Sequence, residues 1–298
     1  MRNNCIDAYP REWAGLGFWS SALRWVSLCT VAVLLWGVSA GAFAQSPALA
    51  SVKGTPSDET VSHPWVLPSP RAAETYFTNL QDGGVYEAPF VARFGLSMRG
   101  LVPAGHLAGR AGHHHLLINQ PLPLDFKKPL PFTGQYIHFG KGQMEMVVDL
   151  PPGQYELRLL LADQGHIPYF VYSKPLKLTV SKQNKNVTPA SVQGAPRIEL
   201  LNVADHDMVR TPFRLQFHAS GYNISTMAAQ VPDTGHFRLT MERVGHKPEV
   251  MDFIAGQTEV WLSPPAGDYT LRLELLGNAP GERTESVAKP VTLSVAAR

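Results

Sequence analysis

Short runs of alternating apolar and polar residues, each ended by Pro or Gly, fill the chain beyond residue 73. Phe90 to Met98, His113 to Asn119, Glu145 to Leu150, Tyr155 to Ala162 and Leu176 to Val180 carry the two-residue period of β-strands. No segment sustains a helical period for ten residues. The pattern predicts an all-β chain.

The pattern also repeats. Asn79, Asp82, Pro89, Phe94, Gly112 and His113 recur 123 positions later as Asn202, Asp205, Pro212, Phe217, Gly235 and His236. A second block, Gly142, Gln143, Glu145, Pro151, Gly153, Tyr155 and Arg158, recurs 114 positions later as Gly256, Gln257, Glu259, Pro265, Gly267, Tyr269 and Arg272. The change of offset leaves nine extra residues in copy one, within Asn119 to Phe139. Duplication at this period means two domains of one fold. In each copy a Pro-rich turn precedes a tyrosine, Tyr155 or Tyr269, that stands two residues before an apolar position. This resembles the tyrosine corner of immunoglobulin-like sandwiches, whose hydroxyl bonds upstream backbone. Two tandem immunoglobulin-like β-sandwich domains are expected, with a jelly roll as the alternative. The predicted boundaries are copy one at 74–181, a polar connector at 182–196 and copy two at 197–298.

The first 44 residues change the picture of where the chain works. Arg2, Arg11 and Arg24 precede an apolar run from Trp25 to Val38, and Ala42-Phe43-Ala44 suits a cleavage site. That is a signal peptide, and it predicts a periplasmic or extracellular protein. The competing reading is an uncleaved anchor in the inner membrane, since Trp25 to Ala44 is about the length of a span. A flexible linker is expected over 45–73, which is rich in Pro, Ser and Ala. Both cysteines, Cys5 and Cys29, fall in the leader, so disulfides, thiolate metal sites and Cys nucleophiles are excluded from the exported chain. Without the leader, 23 basic residues face 22 acidic ones, a formal charge of +1. No basic stripe is visible, and nucleic acid is not an expected partner.

The histidines are where the copies part. Copy one carries Gly112-His113-His114-His115, and the aligned run of copy two, His236 to Glu242, alternates with Phe237, Leu239 and Met241 inward. That register turns His114 to the core and His113 and His115 outward, roughly 6.6 Å apart along the strand. His138 and His166 flank the second block, where copy two has Asp252 and Pro280, and Arg238 replaces His115. Imidazoles without a thiolate suit copper or zinc, so His113, His115, His138 and His166 are the candidate ligands. Asp163 is a candidate to orient His166. Protonation near pH 6 is expected to compete with such an ion.

The runs GHHHLLIN (112–119), YIHFGKGQ (136–143), DLPPGQYELRLLLAD (149–163) and GHIP (165–168) together resemble an uncharacterised family of bacterial exported domains. Its marks are a GHHHLLI run, an HFGKGQ turn, an LPPG hairpin and a D-x-x-H pair. Copy two is similar to a diverged member. The resemblance implies the fold and export and supplies no activity. Three functional classes follow. The first is a non-catalytic metal-binding protein; the second is an interaction module for an envelope protein or polymer, with structural histidines. The third, a hydrolase, lacks a nucleophile beside a histidine and lacks paired carboxylates, so the chain is not expected to be an enzyme.

Overall fold

The structure, a computed structural model, describes residues 61–281 and 283–296. The leader, and the linker up to residue 60, lie outside the described residues. Copy one contains β2 (Thr75–Phe77), β3 (Gly84–Ala88), β4 (Phe90–Leu96), β5 (His113–Ile118), β6 (Tyr136–His138), β7 (Glu145–Val148), β8 (Gly153–Ala162), β9 (Pro168–Tyr172) and β10 (Leu176–Gln183). It is preceded by a short strand, β1 (Val66–Leu67), and followed by one helical turn, α1 (Pro189–Gln193). Copy two repeats the series as β11 (Arg197–Leu200), β12 (Asp207–Val209), β13 (Phe213–Ser220), β14 (Gly235–Glu242), β15 (Glu249–Asp252), β16 (Glu259–Leu262), β17 (Gly267–Gly277), β18 (Thr284–Val287) and β19 (Val291–Val295).

In copy one a three-stranded sheet, β2-β4-β7, faces a larger sheet ordered β3-β10-β8-β5-β6, with β9 also on β8. Copy two repeats this order: β11-β13-β16 faces β12-β19-β17-β14-β15, with β18 on β17. The opening strand pair is split between the sheets, and β3 and β12 join the last strand of their copy in parallel. This is the immunoglobulin-like sandwich arrangement rather than a jelly roll.

The residues that recur are those that fix this frame. Asn79 donates to Val91 O and accepts from Arg93 N, both at 2.8 Å. Asn202 does the same with Arg214 O at 2.7 Å and Gln216 N at 2.8 Å. The Tyr155 hydroxyl donates to Pro151 O, and that of Tyr269 to Pro265 O, each at 2.8 Å. Both tyrosine corners are therefore formed. Each such bond contributes about 1 kcal/mol, and the apolar rows of Phe94, Leu116 and Leu159, or Phe217, Leu239 and Leu273, contribute more by burial.

The sandwiches are packed on each other through matching positions. Leu101 N donates to Gly256 O and Ile224 N donates to Gly142 O, both at 2.9 Å, and Leu101 aligns with Ile224 as Gly142 does with Gly256. A Cβ on Gly142 would lie 2.1 Å from Ile224 O, and one on Gly256 2.5 Å from Leu101 O. This explains the shared Gly-Gln-x-Glu motif: it forms the contact between copies. Glu145 crosses it to His218 at 3.0 Å and Ser220 at 2.6 Å, and Glu259 crosses it to Tyr76 at 2.5 Å.

Two boundaries differ from the sequence pattern. Residues 61–67 precede copy one but dock on copy two: β1 pairs with β16, and Trp65 packs edge-on against Tyr269 at 5.8 Å. A proline-rich segment has no periodicity to announce a two-residue strand, so the stretch expected to be flexible up to residue 73 contains β1. The connector likewise holds α1, capped by the Thr188 hydroxyl accepting from Ser191 N. Among the described residues no helix is long and apolar enough to cross a membrane.

Candidate metal centre

Strand β5 is central in its sheet, between β8 and β6, and all six of its residues are buried. The inner row, His114, Leu116 and Ile118, faces the sandwich core as alternation predicts. His114 Nδ1 lies 3.1 Å from the Thr75 hydroxyl, so its partner is a side chain and not backbone.

The outer row departs from expectation. His113 and His115 point away from the sandwich core, yet both are 0% exposed. The segment with nine extra residues folds over them and places Leu130 and Phe126 against Leu117, Leu160 and Ala162 in a small second core. The signal for this cover was present. The outer positions of β8 read Leu160 and Ala162, where alternation toward solvent calls for polar residues and where copy two has Glu274 at the first.

Three separate elements bring the imidazoles together. The ladder sets His115 directly opposite His138 on β6. His166 sits at the end of the turn after β8 with φ of 64°, a left-handed conformation unusual for a side-chain-bearing residue. Asp163 holds that turn by accepting from Gly165 N at 2.8 Å and Ile167 N at 2.9 Å. It orients His166 through the backbone rather than through a bond to the ring. His166 O in turn accepts from Leu130 N at 3.0 Å, which ties the covering loop to the site.

His113 Nε2 lies 3.0 Å from His115 Nε2 and 3.1 Å from His166 Nδ1. One ligating nitrogen from each of the four histidines falls within 4.8 Å of all the others. Bonds near 2 Å place donors roughly 3–4 Å apart around one ion, so small rotations of the rings suffice. Nitrogens left without any hydrogen-bond partner include His113 Nδ1, His115 Nδ1 and His138 Nε2. Burial first, then the neighbouring imidazoles, lowers His113 to about 3 and His115 to about 2; burial and His166 lower His138 to about 4. These three rings are neutral at pH 7.

A glycine completes the pocket. A Cβ on Gly140 would lie 2.2 Å from His138 Cε1 and 2.5 Å from its Nε2, and copy two has Ile254 there. Phe132 stands edge-on to His138 at 5.3 Å and to His166 at 4.8 Å, on the solvent side. Neither residue was among the candidates from sequence. Met144 is buried in the contact between the sandwiches and takes no part.

In copy two, Arg238 and Asp252 replace the facing pair His115 and His138 and form a two-pronged ion pair at 2.5 and 2.9 Å. His236 bonds Asn278 at 2.7 Å. A family model described as "Domain of unknown function (DUF4399)" matches residues 92–181 and 215–296. The chain belongs to this family. Its two DUF4399 regions lie one within each sandwich, and the four histidines all lie in the first. No curated protein matches the chain. Among solved structures, the DUF4399 pair is similar to fibronectin(III)-like modules of Clostridium thermocellum CbhA, at 10% identity over 75% of this chain and 94% of that one, TM-score 0.21. A two-domain fibronectin type III segment of chicken tenascin matches at 10% identity over 76% and 99%, TM-score 0.20. Chicken CNTN1 FN1-FN3 domains match at 9% identity over 73% and 67%, TM-score 0.23.

Proposed function

We propose that this is an exported, non-catalytic protein that binds one transition-metal ion, copper or zinc, through His113, His115, His138 and His166 of its first sandwich. The observation that carries this reading is the convergence of four imidazoles, one nitrogen of each within 4.8 Å of all the others. The Nε2 atoms of His113 and His115 are held 3.0 Å apart, and His113 Nε2 lies 3.1 Å from His166 Nδ1, a spacing that suits donors around one ion. The donor chemistry also fits, since neutral imidazole is the form that ligates. Work in the periplasm or outside the cell is part of the proposal and rests on the leader, with retention at the inner membrane as the alternative.

The test is metal analysis and titration of untagged protein beside a His113→Ala/His115→Ala variant. One ion per chain is expected in the wild type and none held tightly in the variant. Equal, weak binding of Cu(II) and Zn(II) by both ends the proposal.

A second reading, an interaction module for an envelope protein or polymer, draws on one observation. Phe126 and Phe170 stack at 4.4 Å on the copy-one surface, and Phe170 is 76% exposed. A pull-down from envelope extract that copy-one surface variants abolish supports it; consistent blanks count against it.

A further inference from the structure

Resting on the metal reading above, the charge and closure of the site narrow the choice of ion. The donor set is four histidines, with no carboxylate within it. The exported chain has no thiolate, because Cys5 and Cys29 precede residue 45. Asp163, the acidic residue of the His166 turn, spends Oδ1 on two backbone N–H groups. A divalent ion bound here is not neutralised by any of its ligands.

Zinc bound by neutral histidines ordinarily gains a compensating anion by turning a water into hydroxide at an open position. This site is built against that. His113 and His115 are 0% exposed, Leu160 lies opposite His115 in the ladder, and the Phe132 ring stands edge-on to the half-exposed His138 and His166. The cost of burying an ion grows with the square of its charge, so +2 is penalised roughly four times as heavily as +1 in the same cavity. Imidazole is a ligand for copper as well as zinc, and four neutral nitrogens add no charge to a monovalent ion. We propose that the histidine cluster of copy one is a Cu(I) site, selective for monovalent copper over Zn(II) and Cu(II) because its four ligands are all neutral and two of them are fully buried.

The experiment is anaerobic competition of the untagged protein for Cu(I) against a cuprous chelator of known affinity, paired with Zn(II) titration on the same preparation. Cu(I) is expected to bind on the order of 100-fold more tightly than Zn(II). Phe132→Glu sets a carboxylate beside His138 and His166 at a position that is 63% exposed, where the fold tolerates it. It is expected to narrow the Cu(I)/Zn(II) ratio by on the order of tenfold, and Phe132→Gln, which removes the ring without adding charge, by much less. Zn(II) held as tightly as Cu(I) by the wild type, with both lost in His113→Ala/His115→Ala, overturns the Cu(I) assignment and leaves the metal site standing. An unchanged ratio in Phe132→Glu removes the electrostatic cause and the assignment with it. Failure of either ion to depend on the histidines ends both.

Discussion

In copy one the strand His113–Ile118 is buried along its whole length, whereas the equivalent strand of copy two, Gly235–Glu242, ends in alternation with Arg238, Thr240 and Glu242 half-exposed. The backbone frame is the same, down to the asparagine clamps and tyrosine corners. What differs is the outer face of one sheet. In copy one it is apolar and covered by the longer segment, and in copy two it is polar and closed by the Arg238–Asp252 ion pair. Cover and clustered histidines occur together in copy one, and copy two lacks both.

The sharpest way to break the comparison is to exchange outer-face residues. Leu160→Glu installs the residue that copy two carries, beneath the covering loop and beside Leu117 and Leu130. A lone carboxylate there is expected to cost about 3–5 kcal/mol, or to unseat the loop, read by urea unfolding. Glu274→Leu, the reverse exchange on a half-exposed position opposite Arg238, is expected to change stability by less than about 1 kcal/mol. Equal effects mean the loop does not seal copy one.

Next in size is the facing pair. His138→Ala is expected to weaken metal binding by on the order of 100-fold, about 3 kcal/mol, in calorimetric titration. Asp252→Ala removes the counterpart in copy two and leaves metal affinity unchanged, with a stability loss under about 1 kcal/mol because the pair is partly exposed. Loss of binding in the Asp252 variant places the ion elsewhere. A smaller effect belongs to Gly140→Ala, whose methyl group must displace the His138 ring. Roughly tenfold weaker binding with little change in unfolding midpoint is expected; unchanged affinity shows that the ring has room to move.

Much of this was legible in the residues. Strand period and punctuation located five of the nine strands of copy one and missed the short β2, β3, β6 and β9, and the tyrosines disclosed the sandwich class. Aligning the copies separated shared frame from unshared histidines. The inward row of β5 was also readable, because Phe237, Leu239 and Met241 supplied the register. The burial of His113 and His115 was not read, although Leu160 and Ala162 announced a covered face. Gly140 and Phe132 were missed for a different reason. One matters through the side chain it lacks and the other through a loop position with no period, and neither carries ligand chemistry. The reach of residues 61–67 to copy two depends on contacts far away in sequence, which local pattern does not encode.

The smallest effect concerns the frame that the copies share. Tyr155→Phe and Tyr269→Phe each delete one 2.8 Å bond to a proline carbonyl, so a naive count makes them equal at about 1 kcal/mol. Their surroundings differ. Tyr269 is 2% exposed, with Trp65 of the docked amino-terminal segment against its ring, while Tyr155 is only partly buried. Water reaches the Tyr155 side more readily and replaces part of what is lost. Tyr269→Phe is therefore expected to cost about 1–1.5 kcal/mol and Tyr155→Phe about 0.5 kcal/mol, in urea unfolding of the full chain. Removing Trp65's ring as Trp65→Ala in the Tyr269→Phe background tests the cause: if the segment is what keeps water out, the two losses are less than additive. Strict additivity, or a larger loss at Tyr155, shows that the corner bond is insensitive to cover, and that the two sandwiches share their energetics as well as their geometry.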